Sequence, residues 1–333
     1  MIAALLTGAL AGVATGFVLQ RGQLCFHSAI RDSLDRRFLL ARGWALGVAI
    51  GAVGLAVLFL LPGTEDLNRG LAFRPVANVG GGLLIGIGMV VARSCVSGLF
   101  YKLGSGMLGA LVGLGGWAVG ELAARDLTIP GPTLLSGGEE ATLPGILGLP
   151  RLLVAAAVLL VVAFVLLRRP HRDDRPAGAW GWQRIGLGLG AAVTLAWALA
   201  ALGGSSYGPS SVGAVASIAR DSPNHWLVAF LLGIVAGGTL GSTTGDPRSG
   251  GRFHVRGEQR VRYLQLAAGG VLLGAGGWIA GGCNLGHGLS GVAQLNVSSY
   301  VVVAAMVVGV AVAAAVSRLL ELTPAPGTAS PSS

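Results

Sequence analysis

Charge is what this sequence has least of. Only 11% of its 333 residues are Asp, Glu, Lys or Arg, whereas a soluble globular domain carries roughly 25%, so an ordinary aqueous enzyme is excluded. Lysine is almost missing: Lys102 is the single one among 23 basic residues, and acidic residues number 14. Cysteine is scarce as well. Cys25, Cys95 and Cys283 lie far apart, with no C-x-x-C pair and no secretory disulfide framework. No polar stretch is long enough to make a separate soluble domain, and the apolar runs do not alternate with period two, which disfavours a β-barrel. The start, Met1-Ile2-Ala3-Ala4-Leu5, lacks the basic region of a cleavable signal peptide and reads as a retained first span.

What is present is apolar sequence. Hydrophobic residues make up 53%, and residues 1–20, 43–64, 185–219, 222–245 and 263–317 carry no formal charge at all, where about 18 such residues suffice to propose a membrane span. Nine segments of helical length fall near 1–19, 38–61, 79–92, 105–125, 151–167, 183–203, 226–240, 263–280 and 297–320. The fold class expected is an all-α polytopic membrane protein of about nine transmembrane helices plus short ones. A single integral membrane domain is expected over 1–322, in two pseudo-repeated halves (about 1–167 and 183–320). They are divided by the stretch from Arg168 to Arg184, beside which Trp180 and Trp182 read as interfacial anchors. The Pro/Ser/Thr/Ala/Gly-rich tail 323–333 is expected to be disordered. The net charge of +9 is explained by Arg-rich cytoplasmic loops rather than by nucleic-acid binding. Alternating the connections places Arg31, Arg36, Arg37, Arg93, Lys102, Arg168 and Arg318 on one side, giving an N-out, C-in orientation. The Arg248–Arg262 cluster there reads as solvated or as touching anionic membrane lipid.

An internal repeat organises these segments. Gly12 and Gly16 precede Cys25 by thirteen and nine positions, as Gly82 and Gly86 precede Cys95 and Gly270 and Gly274 precede Cys283; Gly233 and Gly237 stand likewise before Asp246. With Gly at 57 of 333 positions single matches are expected by chance, but not this set together. Each G-x-x-x-G pair lets helix backbones approach closely; packing explains those pairs but not the recurring loop behind them. Repeats with broken helices are a mark of transporters, whose interruptions meet near the midplane, so four broken-helix loops are expected to converge at the centre.

The loops carry the chemistry. Residues 281–291, Gly-Gly-Cys-Asn-Leu-Gly-His-Gly-Leu-Ser-Gly, hold too many glycines for a helix. They sit in an uncharged stretch, where irregular backbone survives only inside protein or lining a cavity. Residues 92–102 combine Cys95 with Arg93 and Lys102, and residues 20–32 combine Cys25 with Arg21, His27 and Arg31. Helix N-termini and N–H nests after Gly-rich turns are natural anion sites. Duller readings stand beside each: His27 and His287 are as readily structural as ligating, Arg31 pairs naturally with Asp32, Arg93 can snorkel, and Glu121 has the i, i+4 spacing to pair with Arg125.

At these loops the sequence resembles the YeeE/YedE sulfur-transport family of bacterial membrane proteins. The carrying motifs are Gln20-Arg21-x-x-x-Cys25-Phe26-x-x-Ala29-Ile30-Arg31-Asp32; Gly86-Ile87-Gly88 leading to Cys95-x-x-Gly98 and Leu103-Gly104; and Gly281-Gly282-Cys283-x-x-Gly286-His287-Gly288-Leu289-Ser290-Gly291. The resemblance implies an hourglass-like helical protein of the bacterial inner membrane that takes up thiosulfate or a related sulfur anion. Cys25, Cys95 and Cys283 would pass the ion along by weak S–H···S contacts, and some relatives work with a small cytoplasmic sulfur-carrier protein. Supporting anion-site residues are then Arg21, Arg93, Lys102, Gly22, Gly98, Gly282, Asn284, Gly286 and His287, with no cofactor, no resident metal and no enzymatic step expected. Two alternatives stay open on the residues: a Cu(I) or Zn(II) transporter ligated by Cys25 with His27 and Cys283 with His287, and a membrane sulfurtransferase forming a persulfide on one cysteine.

Overall fold

The computed structural model describes residues 1–168, 178–244 and 253–319. The fourth repeat centre expected at Asp246, the middle of the 168–184 divider, part of the Arg248–Arg262 cluster and the 323–333 tail all lie outside those residues. Among the described residues eight helices are long and apolar enough to cross a bilayer, and the 16-residue Gly109–Ala124 is a shorter apolar ninth, so the nine charge-poor segments are all helical. Among the described residues there is no β-strand, only isolated bridges.

The chain opens with a long helix α1 (Ile2–Gly22), a short α2 (Phe26–Leu34) and a long α3 (Leu39–Leu58). The succession α4 (Pro75–Ala92), α5 (Val96–Gly104) and α6 (Gly109–Ala124) has the same order of long, short and long. A short α7 (Leu143–Leu147) leads into α8 (Arg151–Arg168), whose only buried residues are Val154, Ala155 and Leu166. Then come α9 (Trp182–Leu202), a short α10 (Ala214–Ile218), α11 (His225–Thr243), α12 (Arg260–Ala280), a single π-type turn at Gly286–Gly291, and α13 (Val297–Leu319). The glycine-rich stretch 281–291 is therefore not wholly irregular. Its second half is wound in the wide i→i+5 form, a rare geometry that is frequent at functional sites.

Small residues decide which helices meet. A Cβ on Gly8, Gly12 or Gly16 of α1 would run into the carbonyls of Trp226, Phe230 or Ile234 on α11, and Gly233 and Gly237 of α11 face back onto α1. Residue numbers rise together along this contact, so the two helices run parallel. Gly82 and Gly86 of α4 meet Val302, Met306 and Gly309 of α13 in the same parallel sense, and Gly270 and Gly274 of α12 meet Gly113 and Trp117 of α6. The close G-x-x-x-G approaches are thus made between elements far apart in sequence, where any larger side chain collides with backbone rather than with a movable side chain. α12 runs antiparallel to α4, with Ala280 beside Gly81 and Gly269 beside Ala92. Its C-terminal end therefore lies where α4 begins, opposite the end at which α4 delivers Cys95.

Candidate functional site

Two of the helix breaks are built alike. α1 ends on Gln23 in the left-handed region (φ 50°) and α4 on Arg93 (φ 46°), an uncommon conformation for residues with a Cβ. Each break is followed by an extended cysteine at an N-cap, Cys25 before α2 and Cys95 before α5. The two thiols meet. Their Sγ atoms lie 3.3 Å apart. The N–H of Cys95 donates to Cys25 Sγ at 3.4 Å, while the N–H of Phe26 donates to Cys95 Sγ at 3.3 Å. Gly98, one turn along α5, leaves the room they occupy: a Cβ there would sit 3.0 Å from Cys25 Sγ and 3.3 Å from Cys95 Sγ.

Polar side chains extend this centre in both directions. Lys102 Nζ donates to Ser94 Oγ at 3.2 Å, and that hydroxyl is 4.0 Å from Cys25 Sγ, which puts a positive charge one hydroxyl away from the pair. On the other side, Cys95 Sγ is 3.4 Å from Ser97 Oγ, which accepts a 2.8 Å hydrogen bond from Asn284 Nδ2. Asn284 belongs to the third break, which follows Gly281 (φ 79°) at the end of α12. Next to it, Cys283 Sγ accepts from Ser211 Oγ at 2.9 Å and from the Leu285 N–H at 3.3 Å. A continuous row, Cys25, Cys95, Ser97, Asn284, then Cys283 and Ser211, thus crosses from the C-terminal ends of α1 and α4 to the C-terminal end of α12. All three thiols are free and buried.

Residues close in sequence to each end of the row line a cavity with basic side chains. One of about 220 Å³ is lined by His27, Arg31, Arg93 and Arg318 with Gln265 and Ser317. The other, of about 260 Å³, is lined by Arg74, Val212, Trp278 and Gly281. Between them the lining of the row is thiol, hydroxyl, amide and backbone N–H. Such a set offers donors to an anion's oxygens and soft groups to a sulfur atom.

The remaining expected residues fall in different places. Lys102 stands one hydroxyl from the thiol pair, while Arg93 lines the cavity that holds His27 and Arg31. Arg21 instead lies over the Trp180 ring, 5.9 Å from its centroid, and Gly22 packs against Ile185 of α9. Gly286 gives its carbonyl to Tyr207 Oη at 3.0 Å, and Gly282 lies against the His287 ring. Both nitrogens of His287 are engaged, Nδ1 with Ser299 Oγ at 2.9 Å and Nε2 with the Ala280 carbonyl at 3.0 Å, so its ring holds the third break in shape. Among the described residues no three His, Cys, Asp or Glu side chains are grouped to hold a metal ion.

Other pairings differ from expectation. Asp32 pairs with Arg37 at 3.1 Å, and Arg125 with Asp126 at 3.2 Å. Glu121 is fully buried, and its Oε1 accepts the N–H groups of Gly213 (3.1 Å) and Ala216 (3.0 Å) at the start of α10. Ser97 and Ser211 are the participants that sequence reasoning passed over. Ser97 stands two places after Cys95, at a position where a hydroxyl can face the thiol; Ser211 sits in a Ser- and Gly-rich link between α9 and α11 that has no cysteine to single it out.

A family model described as sulphur transport matches residues 21–312. The thiosulfate transporter TsuA of Spirochaeta thermophila is 31% identical over 329 residues, covering 88% of this chain and 93% of its own length. The thiosulfate transporter TsuA of Escherichia coli is 26% identical over 339 residues, covering 93% and 94%. A probable transporter, YedE, of Salmonella typhimurium is 30% identical over 170 residues, covering 50% of this chain and 41% of its own.

Proposed function

From the premise that this chain belongs to the sulphur-transport family, we propose that it moves thiosulfate or a closely related sulfur anion across the bacterial inner membrane into the cytoplasm, by way of Cys25, Cys95 and Cys283. The observation that carries the proposal is the 3.3 Å approach of two buried thiols, joined through Ser97 and Asn284 to the break that bears the third. Moving a small ion from water to low dielectric costs on the order of 20 kcal/mol per charge by idealised estimate, and thiosulfate carries two. An apolar pore cannot offset that. N–H groups, hydroxyls, an amide and Lys102 offset it in part, and the thiols suit the terminal sulfur. Each single contact is weak, which favours release as much as capture.

The distribution of basic residues supports an orientation for this path. With Arg31, Arg93 and Arg318 facing the cytoplasm by the positive-inside rule, the Arg74 cavity is the outer mouth and Cys283 the first thiol met. The ion then passes Asn284 and Ser97 to reach Cys95 and Cys25, and leaves by the cavity lined by His27, Arg31 and Arg93.

Uptake of isotope-labelled thiosulfate tests the reading. Removing one thiol contact worth about 1 kcal/mol lowers the rate roughly fivefold or more, so Cys25→Ala, Cys95→Ala and Cys283→Ala proteins, each checked for normal membrane abundance, are expected to take up less than the wild type. Wild-type uptake in all three rejects the thiol path.

A further inference from the structure

The three thiols are not equivalent. Cys283 is bonded to a hydroxyl and a backbone N–H of its own surroundings, whereas Cys25 and Cys95 are bonded to each other's loops, sulfur to sulfur at 3.3 Å. A disulfide has an S–S length of about 2.05 Å, so a little over 1 Å of approach separates this pair from a covalent bond. The N-caps of α2 and α5 already hold the two residues face to face, and the reciprocal N–H···S bonds fix the facing atoms. Lys102, one hydroxyl from Cys25, favours negative charge on sulfur, the form in which a thiol attacks.

We infer that Cys25 and Cys95 are a dithiol modification site, which sulfur compounds with a reactive S–S bond close to an intramolecular disulfide. The chemical class is the polythionates and small disulfides. Tetrathionate is the apt member because it is two thiosulfates joined through sulfur, so on the transport reading, on which its access rests, it is drawn into the same basic mouths. One thiolate attacks an inner sulfur of tetrathionate. A protein S–S bond forms, the S–S bond of the reagent breaks, and one thiosulfate leaves with the electron pair. The second thiolate then attacks the protein sulfur of that adduct, and a second thiosulfate leaves. In sum two thiols are oxidised by two electrons, tetrathionate is reduced to two thiosulfates, and two protons go to water. The product ties the break after α1 to the break after α4 and removes both thiols from the row.

The test is made on the purified full chain in proteoliposomes, with tetrathionate as the probe. After treatment and removal of reagent, the wild-type protein is expected to lose the mass of two hydrogen atoms and to yield a cross-linked peptide pair containing Cys25 and Cys95. Its thiosulfate uptake falls to background and returns with dithiothreitol. Cys283→Ala forms the same cross-link. Cys25→Ser and Cys95→Ser, which keep a polar side chain of similar size, form none and retain the reagent adduct on the surviving thiol. Three unmodified thiols after treatment, or a cross-link that engages Cys283, overturns the inference. Thiosulfate uptake beside three unmodified thiols leaves the transport reading standing and this one fallen; a Cys25–Cys95 cross-link in protein that moves no thiosulfate does the reverse.

Discussion

Asn284 faces two demands at once. Its amide nitrogen donates to Ser97, while its buried Oδ1 finds no hydrogen-bond partner among the described residues. An unpaired buried acceptor costs about 1–3 kcal/mol, so the side chain is held by its donor end alone. On the proposed path, a neutral amide between Cys283 and the thiol pair is tolerable to an anion; a carboxylate of the same shape is not. At about 4 Å and intermediate dielectric two unit charges of like sign repel by about 4 kcal/mol. Asn284→Asp is therefore expected to lower thiosulfate uptake roughly a hundredfold or more while Asn284→Ser loses far less, with thermal melting in detergent showing both proteins folded. Equal losses in the two variants argue that Asn284 acts through packing. At this scale the thiols were legible because each follows a glycine pair at one fixed spacing. Ser97 was not, since a serine near a cysteine has no meaning until α5 turns it toward Asn284.

At the scale of elements, the link between α9 and α11 shows how a carboxylate inside the bundle serves as an anchor. Glu121 on α6 accepts the N–H groups of Gly213 and Ala216, and the same link places Ser211 on Cys283 and the Pro209 carbonyl on Ser290 Oγ at 2.7 Å. Glu121→Ala leaves two N–H groups buried without an acceptor, at a cost of about 1–3 kcal/mol each. It is expected to lower the melting temperature and to raise the reactivity of Cys283 toward a small maleimide in a Cys25→Ser, Cys95→Ser background. Glu121→Gln keeps an acceptor oxygen at that place and is expected to restore both. No change in Cys283 labelling on Glu121→Ala would show that the anchor does not reach Ser211.

The element scale also marks the limit of the sequence. The nine apolar helices among the described residues could be read from charge-poor stretches, because a bilayer punishes charge wherever it falls. The seating of α1 on α11 could not, since the glycines of each helix say that something packs closely there without saying what. The i, i+4 spacing of Glu121 and Arg125 suggested an ion pair, but a buried carboxylate with two N–H donors is better matched than one reaching for a side chain at the helix end.

For the molecule as a whole, the two cavities near the ends of the thiol row are both lined by arginine, and Lys102 stands beside the thiol pair. Charges at a rim act chiefly on the rate of encounter and are screened by salt, over about 8 Å at physiological ionic strength. Arg74→Gln and Arg93→Gln are each expected to reduce initial uptake a few-fold at low salt and to flatten its dependence on ionic strength, a comparison made by measuring uptake across a salt series. An unchanged salt dependence in Arg74→Gln would remove the Arg74 cavity from the approach route.

The glycine seams bear on how anything could get through. Along α1 and α11, and again along α4 and α13, backbone lies directly on backbone, so a one-turn slip of either helix would drive a carbonyl into a neighbour's Cα. At Gly12, Gly16 and Gly86 it is the neighbour's main chain, rather than an exchangeable side chain, that such a slip would meet. Motion along the thiol row that keeps these seams in register is torsional: a sulfhydryl swinging, a hydroxyl turning, an amide letting go of its serine. Passage on such terms is a succession of small rotations, with a tempo set by side chains rather than by the reorientation of half a protein.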